Sequence, residues 1–185
     1  MTEITVIPDL PAAIRRFVLQ WGDMGSQWGV NRSVSQIHAL LYIADHPMTA
    51  EEIAETLAMA RSNVSNSLKE LMGWGLIHRV PVMGDRRDHF AADVDIWSIA
   101  AKIAAGRKER ELDPAIAALE ACVAEAAGDP KLNKVAAERL NAMLDFTRTM
   151  TGWFDQMSKV PKPTLMALIR LGARIASFLP GKKPK

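Results

Sequence analysis

The sequence predicts a mainly α-helical fold with one β-hairpin near its middle. Three observations predict it: apolar residues recur at helical spacing along most of the 185 residues, helix-capping signals punctuate them, and alternation typical of strands is confined to residues 76–93. Nearly half of the residues are apolar (49%), enough for an ordered chain with one good core, or a small domain plus an oligomerisation element. The N-terminus has no basic segment followed by an apolar run. The stretch from Leu165 to Leu179 is broken by Arg170 and Arg174 and is too short to span a bilayer. A soluble, cytoplasmic protein without membrane association is expected. Cys122, the single cysteine, lies among alanines in a helical pattern and is expected to be a small buried residue.

The elements follow in order. Leu10 to about Gln27 reads as a helix, with Pro11 in its first turn and Ile14, Phe17, Val18 and Trp21 on its apolar side. Gly22, Gly25 and Gly29 follow no predicted strand, so they point to a turn and close helix packing rather than a nucleotide-binding loop. Ser33 and Gln36 suggest a capping box opening a second helix that runs to about Asp45, before His46-Pro47. Thr49 with Glu52 forms a second capping box, stapled by Met48 and Ile53, and this is the clearest helix start in the chain. A short break at Met59-Ala60 precedes a further helix carrying Val64, Leu68, Leu71 and Met72, which Gly73-Trp74-Gly75 ends. Leu76 to Met83 and His89 to Asp93 read as two strands joined by Gly84–Asp88, with Pro81 requiring an edge position. Helix, helix, helix and hairpin is the order of a winged helix-turn-helix.

Beyond Asp93 the chain becomes an alanine-rich helix to about Ala127, interrupted at Asp113-Pro114, where a kink or restart is expected. Gly128-Asp129-Pro130 turns the chain into a helix reaching about Lys159, and a last helix carries Leu165, Leu168, Ile175 and Leu179. The expected division is an N-terminal helix (1–30), a winged helix-turn-helix domain (31–94), a helical region (95–179), and a disordered basic tail (180–185).

The chemistry lies in the placement of polar groups, because a formal net charge of +2 says little by itself. On the helix after Met59, Ser62, Asn66 and Lys69 fall opposite the apolar residues, with Asn63 and Ser65 on the flanks. Short hydrogen-bonding side chains on such a face can reach base edges in a major groove about 12 Å wide. Arg61 and Ser62, at the helix start, are placed to meet a phosphate. Arg86 and Arg87 tip the hairpin, where cations enter a minor groove or neutralise phosphates, and Asp85 and Asp88 flank them. The preceding helix, with Glu51, Glu52 and Glu55, is acidic. An isolated polar helix face is ordinarily only solvated; the capped helix before it and the hairpin after it make this one a reader of double-stranded DNA. The alternative is a winged helix used for protein–protein interaction. The four histidines (His38, His46, His78, His89) are scattered without metal-ligand spacing or a nucleophile–base pattern, so no catalysis, metal or cofactor is expected.

The segment from Trp21 to about Phe90 resembles the MarR superfamily, in its GbsR-like branch. The residues that carry this are Trp21-Gly22, Gly25, Arg32–Val34, Leu40–Tyr42, Glu52–Ala54, Leu57, Asn63–Ser65, Leu68–Leu71, Trp74–Leu76, Arg79-Val80 and the Gly84–Arg86 wing. The resemblance implies a homodimer in which terminal helices from both subunits pack together, so that the helix in 1–30 joins a dimer region and 95–179 is a dimerisation and effector region. The dimer binds a pseudo-palindromic operator on DNA and responds to a small molecule, and a repressor is expected. A departure from the pattern is Ala60, where a capping Ser is usual. The branch further implies a choline-like effector, for which Trp21, Trp28, Trp97 and Trp153 are the aromatic-cage candidates, although packing is the commoner use of such tryptophans. The apolar positions Leu112, Ile116, Leu119, Val123, Leu165, Leu168 and Ile175 are the expected dimer seam.

Overall fold

The computed structural model describes residues 10–129, 132–172 and 174 of the chain. It divides into two compact units, Met1–Ile103 and Ala104–Lys185. In the first, helix α1 (Ala12–Gln27) follows Pro11 and packs on α2 (Arg32–Ile43). Val34 to Leu41 are all buried, which makes α2 the central helix of the unit. The helix starts one residue before the predicted capping box, because the Asn31 side chain accepts from the Ser33 amide and serves as the cap. Gln36 is instead buried, and Ser33 Oγ accepts a bond from the Asn63 amide.

Gly22 and Gly25 lie inside α1, not in a turn, and both are buried. A Cβ on Gly25 would stand 1.9 Å from Ser35 Oγ, and one on Gly22 would stand 2.5 Å from Gln36 Cγ. The two glycines let α1 and α2 touch backbone to side chain. The turn residue is Gly29, at φ +78°.

Strand β1 (Met48–Thr49) leads into α3 (Ala50–Leu57), and Thr49 and Glu52 form the capping box the sequence predicts. The Thr49 amide donates to Glu52 Oε2 at 2.6 Å, and the Glu52 amide donates to Thr49 Oγ1 at 3.2 Å. That bond from the Thr49 backbone holds the Glu52 carboxyl below its ordinary range. Ala58, left-handed at φ 51°, ends the helix, and three residues separate α3 from α4 (Arg61–Gly73). Ala60 provides no side-chain cap to α4, as its departure from the usual Ser implies.

Strands β2 (Ile77–Val80) and β3 (His89–Ala92) form the wing, in the sheet order β1-β3-β2 with all pairs antiparallel. The ladder stops at Val80 rather than Met83, because Pro81 has no N–H to donate. The third strand escapes sequence reading since two residues, Met48 and Thr49, show no alternation; they pair with Phe90 and His89. Ile37, Ile53, Val64, Leu68, Leu71 and Leu76 form the centre of a core that also holds Val18, Phe90 and Ile99.

The exit from the wing is tied down. Asp93 accepts from Ser98 Oγ at 2.6 Å and from Lys102 Nζ at 2.9 Å, and the same ammonium donates to the Gly75 carbonyl at the end of α4. Those bonds, the one from Ser98 foremost, hold the Asp93 carboxyl well below the usual carboxylate range.

Helix α5 (Ile96–Arg107) leads through a π-helical turn, Lys108–Leu112, into α6 (Asp113–Ala126). Pro114 sits in the first turn of α6, so the predicted interruption takes the form of one wide turn that absorbs the missing amide. Helices α7 (Lys134–Met157) and α8 (Lys162–Leu171) follow, α7 being capped by Asn133. In the second unit α6 packs on α7, and Arg148 pairs with Glu120 across them. Cys122 is exposed, contrary to the expectation that it is buried. The half-buried stripe of α6 runs through Ile116, Leu119 and Val123, and Cys122 falls one residue off it. Residues 180–185, expected to be a basic tail, lie outside the described residues.

Candidate nucleic-acid interface

Helix α4 is split lengthwise. Val64, Ser67, Leu68 and Leu71 are buried, whereas Arg61, Ser62, Ser65, Asn66 and Lys69 are exposed. This division follows from the 3.6-residue period: the core pulls one stripe inward and leaves a face of short polar groups turned to solvent. Asn63 is half-buried and donates through Nδ2 to Ser33 Oγ at 2.8 Å, so its amide fastens α4 to the start of α2.

The wing loop presents Arg86 and Arg87 in different ways. Arg86 is exposed and has no ion-pair partner among the described residues. Arg87 is clamped by Asp85, with Nε 2.9 Å from Oδ2 and the backbone amide 2.9 Å from Oδ1. The clamp holds the Asp85 carboxyl well below its usual range and raises the guanidinium further, so both remain charged. Arg79 pairs with Asp88 at 3.5 Å. The sequence shows that these charges are neighbours; the loop geometry distinguishes an unpaired cation from an oriented one.

The four candidate cage tryptophans stand on different elements. Trp21 is on α1, Trp28 is 59% exposed just after that helix, Trp97 is half-buried at the start of α5, and Trp153, 55% exposed, belongs to the second unit. Of the four, Trp21 lines a pocket of about 200 Å³, together with Phe17, His38, Ala39, Tyr42, Ile96 and Ile99. Phe17 stacks obliquely on Trp21 and Tyr42, with ring centroids 5.7 and 6.5 Å away, and Trp21 lies 6.4 Å from His38. Sequence reading missed Phe17, His38 and Tyr42 as pocket residues. Their signal was present, since Phe17 with Trp21 and His38 with Tyr42 are each four residues apart on helices that pack together. His38 is 4% exposed, and its Nε2 is buried without a hydrogen-bond partner among the described residues. Burial lowers its pKa to about 4 against a smaller opposing pull from Asp93, so the imidazole is neutral.

The residues expected at a dimer seam are differently placed. Ile116, Leu119 and Val123 are half-buried on α6, the helix that packs on α7, and Leu165 and Leu168 are half-buried on α8. Leu112 is 43% exposed, and Ile175 lies outside the described residues. The larger apolar exposure is on α7, at Met143, Phe146, Met150 and Trp153, spaced three and four residues apart. The described residues contain no group of three His, Cys, Asp or Glu side chains placed to hold a metal ion, and no helix among them is long and apolar enough to cross a membrane.

Residues 28–88 match the MarR family. Over 98 residues the chain is 26% identical to the HTH-type transcriptional repressor GbsR of Bacillus subtilis, an alignment covering 53% of this chain and 54% of that protein. It is 30% identical over 98 residues to the HTH-type transcriptional regulator MmpR5 of Mycobacterium tuberculosis, covering 52% and 56%. The chain thus spans about half the length of these curated relatives. A crystal structure of a transcriptional regulator shares the fold at a TM-score of 0.61 and 21% identity, over 79% of this chain and 95% of that one. The capped α3, the three-residue turn, the divided α4 and the wing therefore form a winged helix-turn-helix domain that matches the MarR family over residues 28–88, and GbsR is among the proteins this chain is similar to.

Proposed function

We propose that the protein is a sequence-specific DNA-binding transcriptional repressor that works as a homodimer on a pseudo-palindromic operator. The observation that carries this reading is the exposed face of α4, with Ser62, Ser65, Asn66 and Lys69, together with an exposed Arg86 on the wing that has no ion-pair partner among the described residues. Asn66 suits a bidentate contact to adenine in the major groove, and Arg86 a phosphate or a minor groove. Two recognition helices must stand about 34 Å apart to enter successive major grooves, which is the task of a dimer. The apolar stripe of α7 supports such an assembly: the second unit leaves Met143, Phe146, Met150 and Trp153 exposed and buries few residues of its own.

The test is binding to the protein's own upstream intergenic DNA and to a scrambled duplex, across a salt series. Asn66→Ala is expected to weaken binding to the preferred duplex by about 1–3 kcal/mol and to leave the scrambled one nearly unchanged. Arg86→Ala is expected to weaken both and to reduce the salt slope by about 0.9. Equal effects of the two variants on both duplexes would remove Asn66 from base reading, and absence of binding to either duplex would favour a protein-interaction module.

We also infer that a small-molecule effector enters the pocket beside Trp21, where three aromatic rings suit a choline-like cation. Choline is expected to change tryptophan emission in the wild type and in Trp153→Ala, and not in Trp21→Ala. An unchanged wild-type spectrum would exclude a quaternary ammonium effector.

A further inference from the structure

Glu51 stands between two of the cations assigned to DNA. Its Oε1 lies 4.0 Å from Nη1 of Arg61, and its Oε2 lies 4.0 Å from Nη1 of Arg87. These arginines come from different parts of the domain, since Arg61 opens α4 and Arg87 belongs to the wing loop.

The surroundings single out this carboxylate. Glu52 is committed to Thr49, whose backbone amide and hydroxyl both donate to Oε2. Asp85 occupies Nε and Nη2 of Arg87, which leaves Nη1 as the edge turned to Glu51. Arg61 begins a helix with no side-chain cap, so an anion near it also meets the positive end of α4. At 4.0 Å, with the arginine side chains 78% and 55% exposed, both pairings are loose, and another anion can replace the carboxylate.

We propose that Glu51 is a stand-in for a DNA backbone phosphate at a site formed by Arg61 and Arg87, and that it sets affinity by competing with that phosphate. The inference rests on the DNA-binding reading above. Its consequence is specific: because phosphates carry no sequence information, removing the charge tightens binding to every duplex by the same factor.

The experiment compares Glu51→Gln, Glu55→Gln, Arg87→Gln and the Glu51→Gln/Arg87→Gln double variant on the preferred and scrambled duplexes across a salt series, with the Tm of each. Glu55 is exposed on the same helix and pairs with neither arginine, so its variant controls for loss of one negative charge anywhere on α3. Glu51→Gln is expected to bind both duplexes about three- to tenfold more tightly at low salt, with the gain shrinking as salt rises. Glu55→Gln is expected to gain less than about twofold, and the benefit of Glu51→Gln is expected to fall to a similar level in the Arg87→Gln background. Equal gains from Glu51→Gln and Glu55→Gln would reduce the effect to bulk charge and overturn the proposal. So would weaker binding with a lowered Tm, which would make Glu51 a structural brace, or an unchanged affinity. The wild type is measured first: if it binds neither duplex at low salt, the DNA-binding reading itself fails and takes this inference with it.

Discussion

Gly25→Val is expected to lower stability by about 3 kcal/mol or more, seen as a fall in Tm of at least about 6–12 °C. Its Cβ would stand 1.9 Å from Ser35 Oγ and 2.7 Å from Ser35 Cβ, and Ser35 is itself buried in the central helix. Neither partner has room to move, so α1 must lift off α2. Gly25→Ala is expected to cost less, because alanine regains about 1 kcal/mol of helix propensity. Gly152→Ala supplies the opposite sign: that glycine lies within α7 and its Cβ would meet nothing within 4 Å, so a gain of about 0.5–1 kcal/mol is expected. Thermal melting of the three variants checks the assignment. A Gly25→Val protein that melts with the wild type would show that the two helices are not in contact at this position.

The second large effect is acid sensitivity centred on His38. Its folded-state pKa of about 4 lies below the ordinary histidine value of 6.5, so the unfolded chain takes up a proton first as pH falls. Stability from this group is whole above about pH 6.5 and is lost as pH drops toward 4. Between pH 6.5 and 4.5 the loss is about 2 kcal/mol. Urea denaturation at several pH values should show this slope in the wild type and its removal in His38→Leu. The variant is expected to be no less stable at neutral pH, because it also removes the buried Nε2 that has no partner among the described residues. An identical slope in both proteins would mean that the acid sensitivity originates elsewhere.

Much of the interface is legible in the amino-acid order alone. The Thr49–Glu52 capping box, the apolar stripe through Val64, Leu68 and Leu71, and the wing turn at Gly84 are local features written in short-range spacing, and each appears where the sequence places it. The exposure of Ser62, Asn66 and Lys69 follows from the same period once the opposite stripe is buried. What spacing does not encode is contact between distant segments. The bond from Asn63 to Ser33 spans 30 residues, and it converts one polar side chain of α4 from a free group into a fastening.

The aromatic cage shows the same limit. The four candidates share a residue type, yet Trp21 is the one among them that lines the pocket beside His38, because pocket membership depends on which helices pack and not on composition. Glu51 is one of three glutamates on α3 in the sequence, and its place between Arg61 and Arg87 appears only when the wing folds back beside that helix. By itself, then, the sequence determined the order of the helices and the hairpin, the apolar and polar faces of α3 and α4 and the polar residues that α4 turns to solvent, since these depend on periods of two and 3.6 residues and on caps within one turn. The tertiary structure alone decided the close α1–α2 approach at Gly25, the third strand, the pocket around His38 and the pairing of each charge, because these are set by contacts between residues far apart in the chain.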